Sequence, residues 1–199
     1  FAGAGDAFDL SSGKALQFPP GTEFRERNCC PRTLGYLGKK VVTERGESYL
    51  TWPQRALFDR IGIRKQVLET DPYGNFLLTG YDYGTPRNWA RLGMLYLKDG
   101  VWNGERLLPE GWTKFVSTAA PAWADSTYGG MVWVNAKGVW GLPRDAFAFR
   151  GAGGQDTYVV PSLDLVVVRM GHFPGARIGT QDIQRALPLI VAALPLNPN

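Results

Sequence analysis

The last third of the chain has the clearest alternation of apolar and polar positions. Residues 155–160 and 165–170 are rich in β-branched and aromatic side chains, and the turn-forming residues 161–164 separate them. This pattern predicts an antiparallel hairpin within a sheet. Residues 180–194 then carry apolar side chains at helical spacing, with Thr180 as the expected cap. We expect this helix to pack on the sheet.

The earlier part of the chain has the pattern of helices joined by loops. Residues 1–23 are rich in Gly, Ser and Pro, which predicts a loop. Apolar spacing, together with Gly and Pro at the ends, predicts helices over 34–42, 53–61, 86–97 and 109–116, and strands over 128–134 and 146–150. The pattern changes near residue 127, which divides a helix-and-loop region, 1–126, from antiparallel strands and a C-terminal helix, 127–199. The predicted fold class is mixed α and β.

Composition narrows the possible functions. Hydrophobic residues make up 44% and charged residues 20%, as in globular proteins, and no apolar run reaches the roughly 18 residues of a membrane span. The net charge of +4 is scattered along the chain, which argues against nucleic-acid binding. Two adjacent cysteines and one histidine can supply neither a disulfide framework nor a zinc site. We therefore expect no metal and no cofactor.

The sequence Ser11-Ser12-Gly13-Lys14 matches the Ser-x-x-Lys pattern of penicillin-recognising hydrolases. In that mechanism the motif begins a helix, so that the lysine stacks on the serine. Here Gly13 lies inside the motif and the turn formers 18–21 follow closely, so we expect Ser11 and Lys14 to lie on an exposed loop. A minimal esterase that uses Ser11 as its nucleophile is the weakest of the functional alternatives.

The glycine run 151–154 precedes Gln155 and a predicted strand. It lacks the spacing of a phosphate-binding loop, so it indicates close approach of the backbone either to another element or to a ligand. The lone histidine, His172, follows the last strand and has no obvious nucleophile as partner, which favours a structural role.

Several segments in chain order resemble the superfamily of serine β-lactamases, penicillin-binding proteins and family VIII-like esterases, especially its class C-like branch. These segments are 18–28, 34–37, 59–63, 90–93 with 104–108, and 151–168. The resemblance covers nearly the whole chain. It implies a β-lactamase/transpeptidase-like α/β fold, with an antiparallel sheet covered by helices, present here as an incomplete copy.

The resemblance implies site residues in the first region. Asn28 falls on the asparagine of the family's Tyr-x-Asn motif, which points at the substrate's amide or ester. Glu26 falls on the tyrosine, a proton shuttle in relatives. A carboxylate can act as a general base, although it cannot copy the pKa of a phenol, near 10.

The resemblance also implies site residues in the second region. Ala152 falls where relatives have Lys or His, and Gly153 and Gly154 follow as substrate-binding positions. Gln155 falls on the residue whose backbone N–H donates to the oxyanion hole, a role that does not depend on the side chain.

In relatives the Ser-x-x-Lys nucleophile lies well upstream of Tyr-x-Asn, beyond the start of this chain. The resemblance therefore implies a serine hydrolase that attacks an ester, amide or lactam carbonyl through an acyl-enzyme, with the nucleophile on a missing N-terminal segment or a partner chain. The 199-residue chain alone is then expected to be inactive. The alternative is a non-catalytic binding or scaffold relative. The same resemblance favours a periplasmic or secreted bacterial protein.

Overall fold

The computed structural model describes residues 5–172, 174 and 180–195. The chain divides into two compact units, Phe1–Asn88 and Trp89–Asn199. Each is described by itself. The sequence-based division near residue 127, which rests on a change of residue pattern, stays a prediction.

The first unit consists of short helices and small strands. Its elements are α1 (Ala7–Ser12), α2 (Cys29–Glu44), a π-helical turn (Gln54–Phe58), β1 (Val67–Leu68), β2 (Asp82–Tyr83) and the first residues of α3 (Pro86–Leu97). β1 and β2 pair antiparallel. The predicted helices at 34–42 and 86–97 are confirmed, whereas the helix predicted over 53–61 is a shorter π-helical turn that ends at Phe58. At the start of α3, Thr85 Oγ1 accepts a 3.2 Å hydrogen bond from the Asn88 backbone N–H.

Helix α1 corrects the prediction of a loop over residues 1–23. The Asp6 carboxylate caps the helix by accepting hydrogen bonds from the backbone N–H groups of Phe8 (2.8 Å) and Asp9 (3.1 Å). Phe8 is buried, which anchors the helix. Ser11 is also buried and its Oγ donates to the Ala7 carbonyl at 2.8 Å. The expectation that Ser11 lies on an exposed loop is therefore wrong, although Lys14 is exposed beyond the helix.

A polar cluster ties α1 and α2 to the turn that begins at Asp71. Asn75 is buried, and its side-chain nitrogen donates at 2.9 Å to both Asp6 and Asp71. Asp71 also accepts from the Ala7 backbone N–H at 2.8 Å, and Lys39 Nζ donates to Asn75 Oδ1 at 2.6 Å. Each buried polar atom in this cluster thus has a partner, as a stable interior requires.

The second unit is built on an antiparallel sheet. After α3 come β3 (Val101–Trp102), β4 (Glu105–Arg106), α4 (Trp112–Val116), β5 (Trp133–Val134), β6 (Phe147–Gly151), β7 (Gln155–Val160), β8 (Leu165–Met170) and α5 (Thr180–Ala192). The sheet has the order β5-β6-β7-β8. The predicted hairpin is confirmed, with Gln155 opposite Met170 and Val160 opposite Leu165.

Apolar side chains pack on both faces of this sheet. On one face, Ile183 and Leu187 of α5 pack with the buried Tyr158, so the predicted helix over the sheet is confirmed. The capping role expected of Thr180 lies outside the described side chains. The other face carries a second buried cluster: Val116, Val132, Val134, Phe147 and Val159. Successive side chains of each strand thus point alternately into the two apolar layers.

The strand predicted over 128–134 is wrong in most of its length. Only Trp133–Val134 is strand, because Tyr128 bridges back to Trp133 and the residues between them turn. Met131 has a φ of 66°, which no extended strand contains. The helix predicted from residue 109 begins at Trp112.

Candidate active site

The first unit places Glu26 and Asn28 on one exposed stretch of chain. Glu26 lies in an irregular segment, and Asn28 directly precedes α2. Neighbouring residues are fixed by local contacts: Arg25 pairs with Glu23 at 3.2 Å and lies 4.8 Å above the Phe18 ring. Both candidate side chains are therefore in contact with solvent, at the end of a locally ordered segment.

Asn28 occupies the N-cap position without capping the helix by its side chain. Its backbone is right-handed helical, with φ −59° and ψ −21°, and its side chain makes no capping hydrogen bond. A capping side chain normally requires an extended backbone at this position. The Asn28 amide therefore has no capping role in α2.

In the second unit the glycine run forms the turn between β6 and β7. Gly153 and Gly154 have φ values of 78° and 85°, and both are buried, whereas Ala152 is exposed. A Cβ on Gly154 would lie 3.1 Å from Arg169 Nη1. The Gly171 backbone N–H donates to the Gly154 carbonyl at 2.8 Å. Of the two alternatives left open by the sequence, the structure thus shows close approach to another element.

Gln155 is the first residue of β7 and directly follows this turn. It lies opposite Gly151 on β6 and opposite Met170 on β8, and its Nε2 donates to the Gly171 carbonyl at 2.5 Å. The side chain of Gln155 is therefore used to fix the segment after β8. His172, which ends the described part of that segment, is exposed.

Beside the turn lies a row of charges that the sequence analysis missed. Arg150, Asp156 and Arg169 are direct cross-strand neighbours on β6, β7 and β8. Asp156 is 4% exposed; its Oδ1 accepts from Arg150 Nε at 2.9 Å, and its Oδ2 lies 3.6 Å from Arg169 Nη1. The signal was the register of the predicted hairpin, because pairing 155 with 170 places Asp156 opposite Arg169.

Burial changes the ionisation of two groups, one in each unit. Desolvation raises the pKa of Tyr158, which lies two residues after Asp156 on the same face of β7, to about 12. In the first unit, desolvation raises the pKa of Asp82 above its ordinary value, although Gln66 donates a 2.5 Å hydrogen bond to it. Tyr158 is therefore neutral at physiological pH and acts as a core residue.

Within the described residues, the structure contains no group of three or more His, Cys, Asp or Glu side chains that could hold a metal ion. None of the described helices is long and apolar enough to cross a membrane.

Comparison with solved structures places this arrangement in a known fold. The chain is similar to a protein assigned as a 6-aminohexanoate-dimer hydrolase from Bacillus anthracis, with a TM-score of 0.73 and 20% identity over 96% of this chain. It is also similar to a protein assigned as a β-lactamase from Bacteroides dorei, with a TM-score of 0.68 and 14% identity over 93% of this chain. A β-lactamase from Mycobacterium bovis matches with a TM-score of 0.65 and 17% identity over 94% of this chain. The chain has the β-lactamase-like fold. The mixed α/β class and the superfamily resemblance predicted from the sequence are thereby confirmed at the level of fold.

This chain, with its β-lactamase-like fold, matches only part of the length of each of these neighbours. It spans 50% of the Bacillus anthracis chain, 64% of the Bacteroides dorei chain and 73% of the Mycobacterium bovis chain. No family model and no curated protein sequence matches the chain. Fold similarity at these identities does not transfer an activity.

Proposed function

We propose that the chain is part of a serine hydrolase that acts on an ester, amide or lactam carbonyl through an acyl-enzyme. The observation that carries the proposal is the glycine turn that leads into Gln155, in a fold whose neighbours are named as hydrolases. The nucleophile lies on a segment beyond these 199 residues. Ser11 does not suit the role, since its hydroxyl is buried and bonded to its own helix.

The proposed chemistry divides one difficult step into two. The serine oxygen attacks the carbonyl carbon while its proton passes to a base, and the leaving alcohol or amine departs with a proton. Water then attacks the acyl ester and releases the acid and the free serine. In both steps the carbonyl oxygen carries negative charge, and a backbone N–H at that oxygen is worth about 100- to 1000-fold in rate.

Gln155 is the proposed oxyanion donor because its position is rigidly fixed. In the turn before it, the Gly154 carbonyl accepts a hydrogen bond from the Gly171 backbone N–H, and the Arg169 guanidinium lies close to Gly154. A donor that needs no reorganisation stabilises the developing charge at the lowest cost. The adjacent Ala152, Gly153 and Gly154 are the proposed substrate-binding positions, and Ala152 is the exposed residue among them.

Glu26 and Asn28 are the candidate groups of the first unit. The Asn28 amide, which the helix does not use as a cap, is proposed to hydrogen-bond the substrate's amide or ester. Glu26 is proposed as the general base, a role that a carboxylate can fill once bound substrate removes water from it.

The alternative function is a non-catalytic binding or scaffold protein of the same fold. The observation in its favour is that Glu26 and Ala152 replace the tyrosine and the Lys or His expected from the resemblance, and both are exposed side chains. A protein that lacks both the tyrosine proton shuttle and the Lys or His side chain at position 152 binds a carbonyl compound without hydrolysing it.

The test uses the product of the complete reading frame that contains these residues, with p-nitrophenyl acetate as substrate. The hydrolase predicts a stoichiometric burst of nitrophenolate, and Glu26→Gln slows the burst by about 100-fold or more. The matched control is Glu23→Gln, an exposed carboxylate of the same segment that pairs with Arg25, and it leaves the burst unchanged. No burst from the folded wild-type protein favours the binding function.

A further inference from the structure

Helix α2 carries apolar residues on two adjacent stripes about a quarter turn apart, of which only one is covered. The buried face contains Pro31, Gly35 and Val42. Gly35 is in close contact with Leu78, and a Cβ on it would lie 3.1 Å from the Phe8 ring, so this face is fully used within the first unit.

The second face is exposed. Leu34, Leu37 and Val41 are 58%, 51% and 47% exposed, and the exposed Cys30 continues their line toward the start of the helix. We call these residues, Cys30, Leu34, Leu37 and Val41, the α2 seam. Their spacing of four, three and four residues places them in one narrow stripe, as at the contact between two packed helices.

Gly38 borders the α2 seam and leaves space beside it. No atom lies within 4 Å of the position that a Cβ on Gly38 would take. A glycine in the middle of a helix costs stability unless its missing side chain serves a purpose. Here the gap allows another backbone to approach α2 closely, between Leu34 and Val41.

The first unit does not cover this seam with a core of its own. The buried apolar residues of the first unit, among them Phe58, Ile61 and Ile63, do not include Leu34, Leu37 or Val41, which are exposed. Aliphatic stripes of this kind mark sites of contact with another protein surface. The seam is therefore a surface at which a segment from outside the described structure can pack.

The structural neighbours indicate what that occupant is. They match 96% and 93% of this chain, but the matched part is only 50% and 64% of their own chains. The same fold thus includes a large portion for which these residues have no counterpart. We propose that the α2 seam docks an apolar helix from that remaining portion of the β-lactamase-like fold.

The position of the seam connects this docking to the candidate active site. The seam starts at Cys30, two residues after Asn28, so a helix docked along it reaches the end of α2 that Asn28 precedes. That the docked segment carries the nucleophile rests on the proposed function. The docking itself does not, and the two are tested by separate readouts.

Cys30 is a natural reporter on the seam. The experiment uses the complete reading-frame product with Cys29→Ser, labelled with iodoacetamide at one alkaline pH. Burial and the Cys29 thiol raise the pKa of the Cys30 thiol, so each rate is divided by the rate in urea. The reference is a second protein with Cys29→Ser, Cys30→Ser and Val139→Cys, because Val139 is 65% exposed in the second unit.

Docking predicts that Cys30 reacts at least about 100-fold more slowly than the cysteine at position 139. Leu37→Glu restores fast labelling, since a carboxylate does not enter an apolar contact. Leu189→Glu, at a leucine off the seam that is 71% exposed, leaves Cys30 protected. If Leu37→Glu prevents folding, Gly38→Leu is the second variant: it fills the gap beside α2 and must also expose Cys30.

Equal labelling of the two cysteines overturns the proposal, as does a reading frame that adds no segment. Protection of Cys30 together with sedimentation of the 199-residue chain at the mass of a dimer overturns it in favour of a second copy. A protected Cys30 without an ester burst leaves the docking standing and removes the proposed hydrolase function. An ester burst together with fast labelling of Cys30 overturns the docking and leaves the proposed hydrolase function standing.

Discussion

Asp156 lies directly opposite Arg150 across the β6–β7 pair, and its Oδ1 accepts a 2.9 Å hydrogen bond from the Arg150 Nε. Arg169 stands on the other side, on β8, so one buried carboxylate serves two guanidinium groups. Arg169 in turn lies against Gly154, in the turn before Gln155. The charge row therefore fixes the backbone that the proposed oxyanion donor belongs to.

Removing the shared carboxylate should be costly. Asp156→Asn leaves both arginines without their anion in a largely buried place, and we expect the free energy of unfolding to fall by about 3 kcal/mol. Urea denaturation measures it. The control is Asp164→Asn, which removes the partner of Lys98 in an exposed pair and should cost less than about 1 kcal/mol. Equal losses for the two variants would contradict the role of the row.

The glycine turn can be tested by a pair of matched variants. Gly154 and Gly104 have φ values of 85° and 82°, but only Gly154 has a neighbour within 4 Å, the Arg169 guanidinium. Alanine at either site adds the strain of a left-handed backbone, about 1–2 kcal/mol. Because Asp156 holds Arg169 in place, Gly154→Ala should cost about 1 kcal/mol more than Gly104→Ala in urea denaturation. An equal loss of stability in the two variants would show that the Arg169 side chain moves aside without cost.

Helical glycines should respond in opposite directions. A Cβ on Gly93 of α3 would lie 2.7 Å from Val166 Cγ1 and 3.0 Å from Thr157 Cγ2, both stiff β-branched side chains of the sheet. We expect Gly93→Ala to destabilise by about 1–3 kcal/mol. In the 199-residue chain, Gly38→Ala in α2 meets no atom and should stabilise by about 0.5–1 kcal/mol. Thermal unfolding distinguishes them, and stabilisation by Gly93→Ala would refute the packing of α3 on the sheet.

The stability of the first unit should fall at low pH because the Asp71 carboxylate becomes protonated. Desolvation opposes ionisation of this carboxyl, but hydrogen bonds from Ala7, Asn75 and Tyr73 together outweigh it and hold its pKa below the ordinary value. Since an unfolded aspartate titrates near pH 4, the contribution is complete above about that pH and is lost as the pH falls through the lower folded value. We expect Asp71→Asn to flatten the fall of the urea midpoint between about pH 4 and pH 2. An unchanged slope would contradict this assignment.

Local signals explain which elements the sequence predicted. The β7–β8 hairpin was predictable because alternation and turn residues both lie within one short stretch. Thr85 and Pro86 likewise mark the start of α3 by their own chemistry. Helix α1 was missed because its one strong signal, the Asp6 cap, sits among glycines, and because burial of Phe8 depends on residues far along the chain.

The candidate site depends on relations that periodicity does not contain. Apolar spacing identified α2, but it could not tell that Gly35 rather than Leu34 faces the rest of the unit. The charge row needs the cross-strand register before Arg150 and Asp156 can be paired. Glu26, Asn28 and Gln155 came from the resemblance, and their roles stay predictions.

The most direct test of the central claim is labelling by a fluorophosphonate, which reacts only with an activated serine, read by intact mass. The account predicts no adduct on the 199-residue chain and one adduct on the complete reading-frame product, at a serine outside these residues. Stoichiometric labelling of the 199-residue chain, lost in Ser11→Ala, would contradict it and make Ser11 the nucleophile.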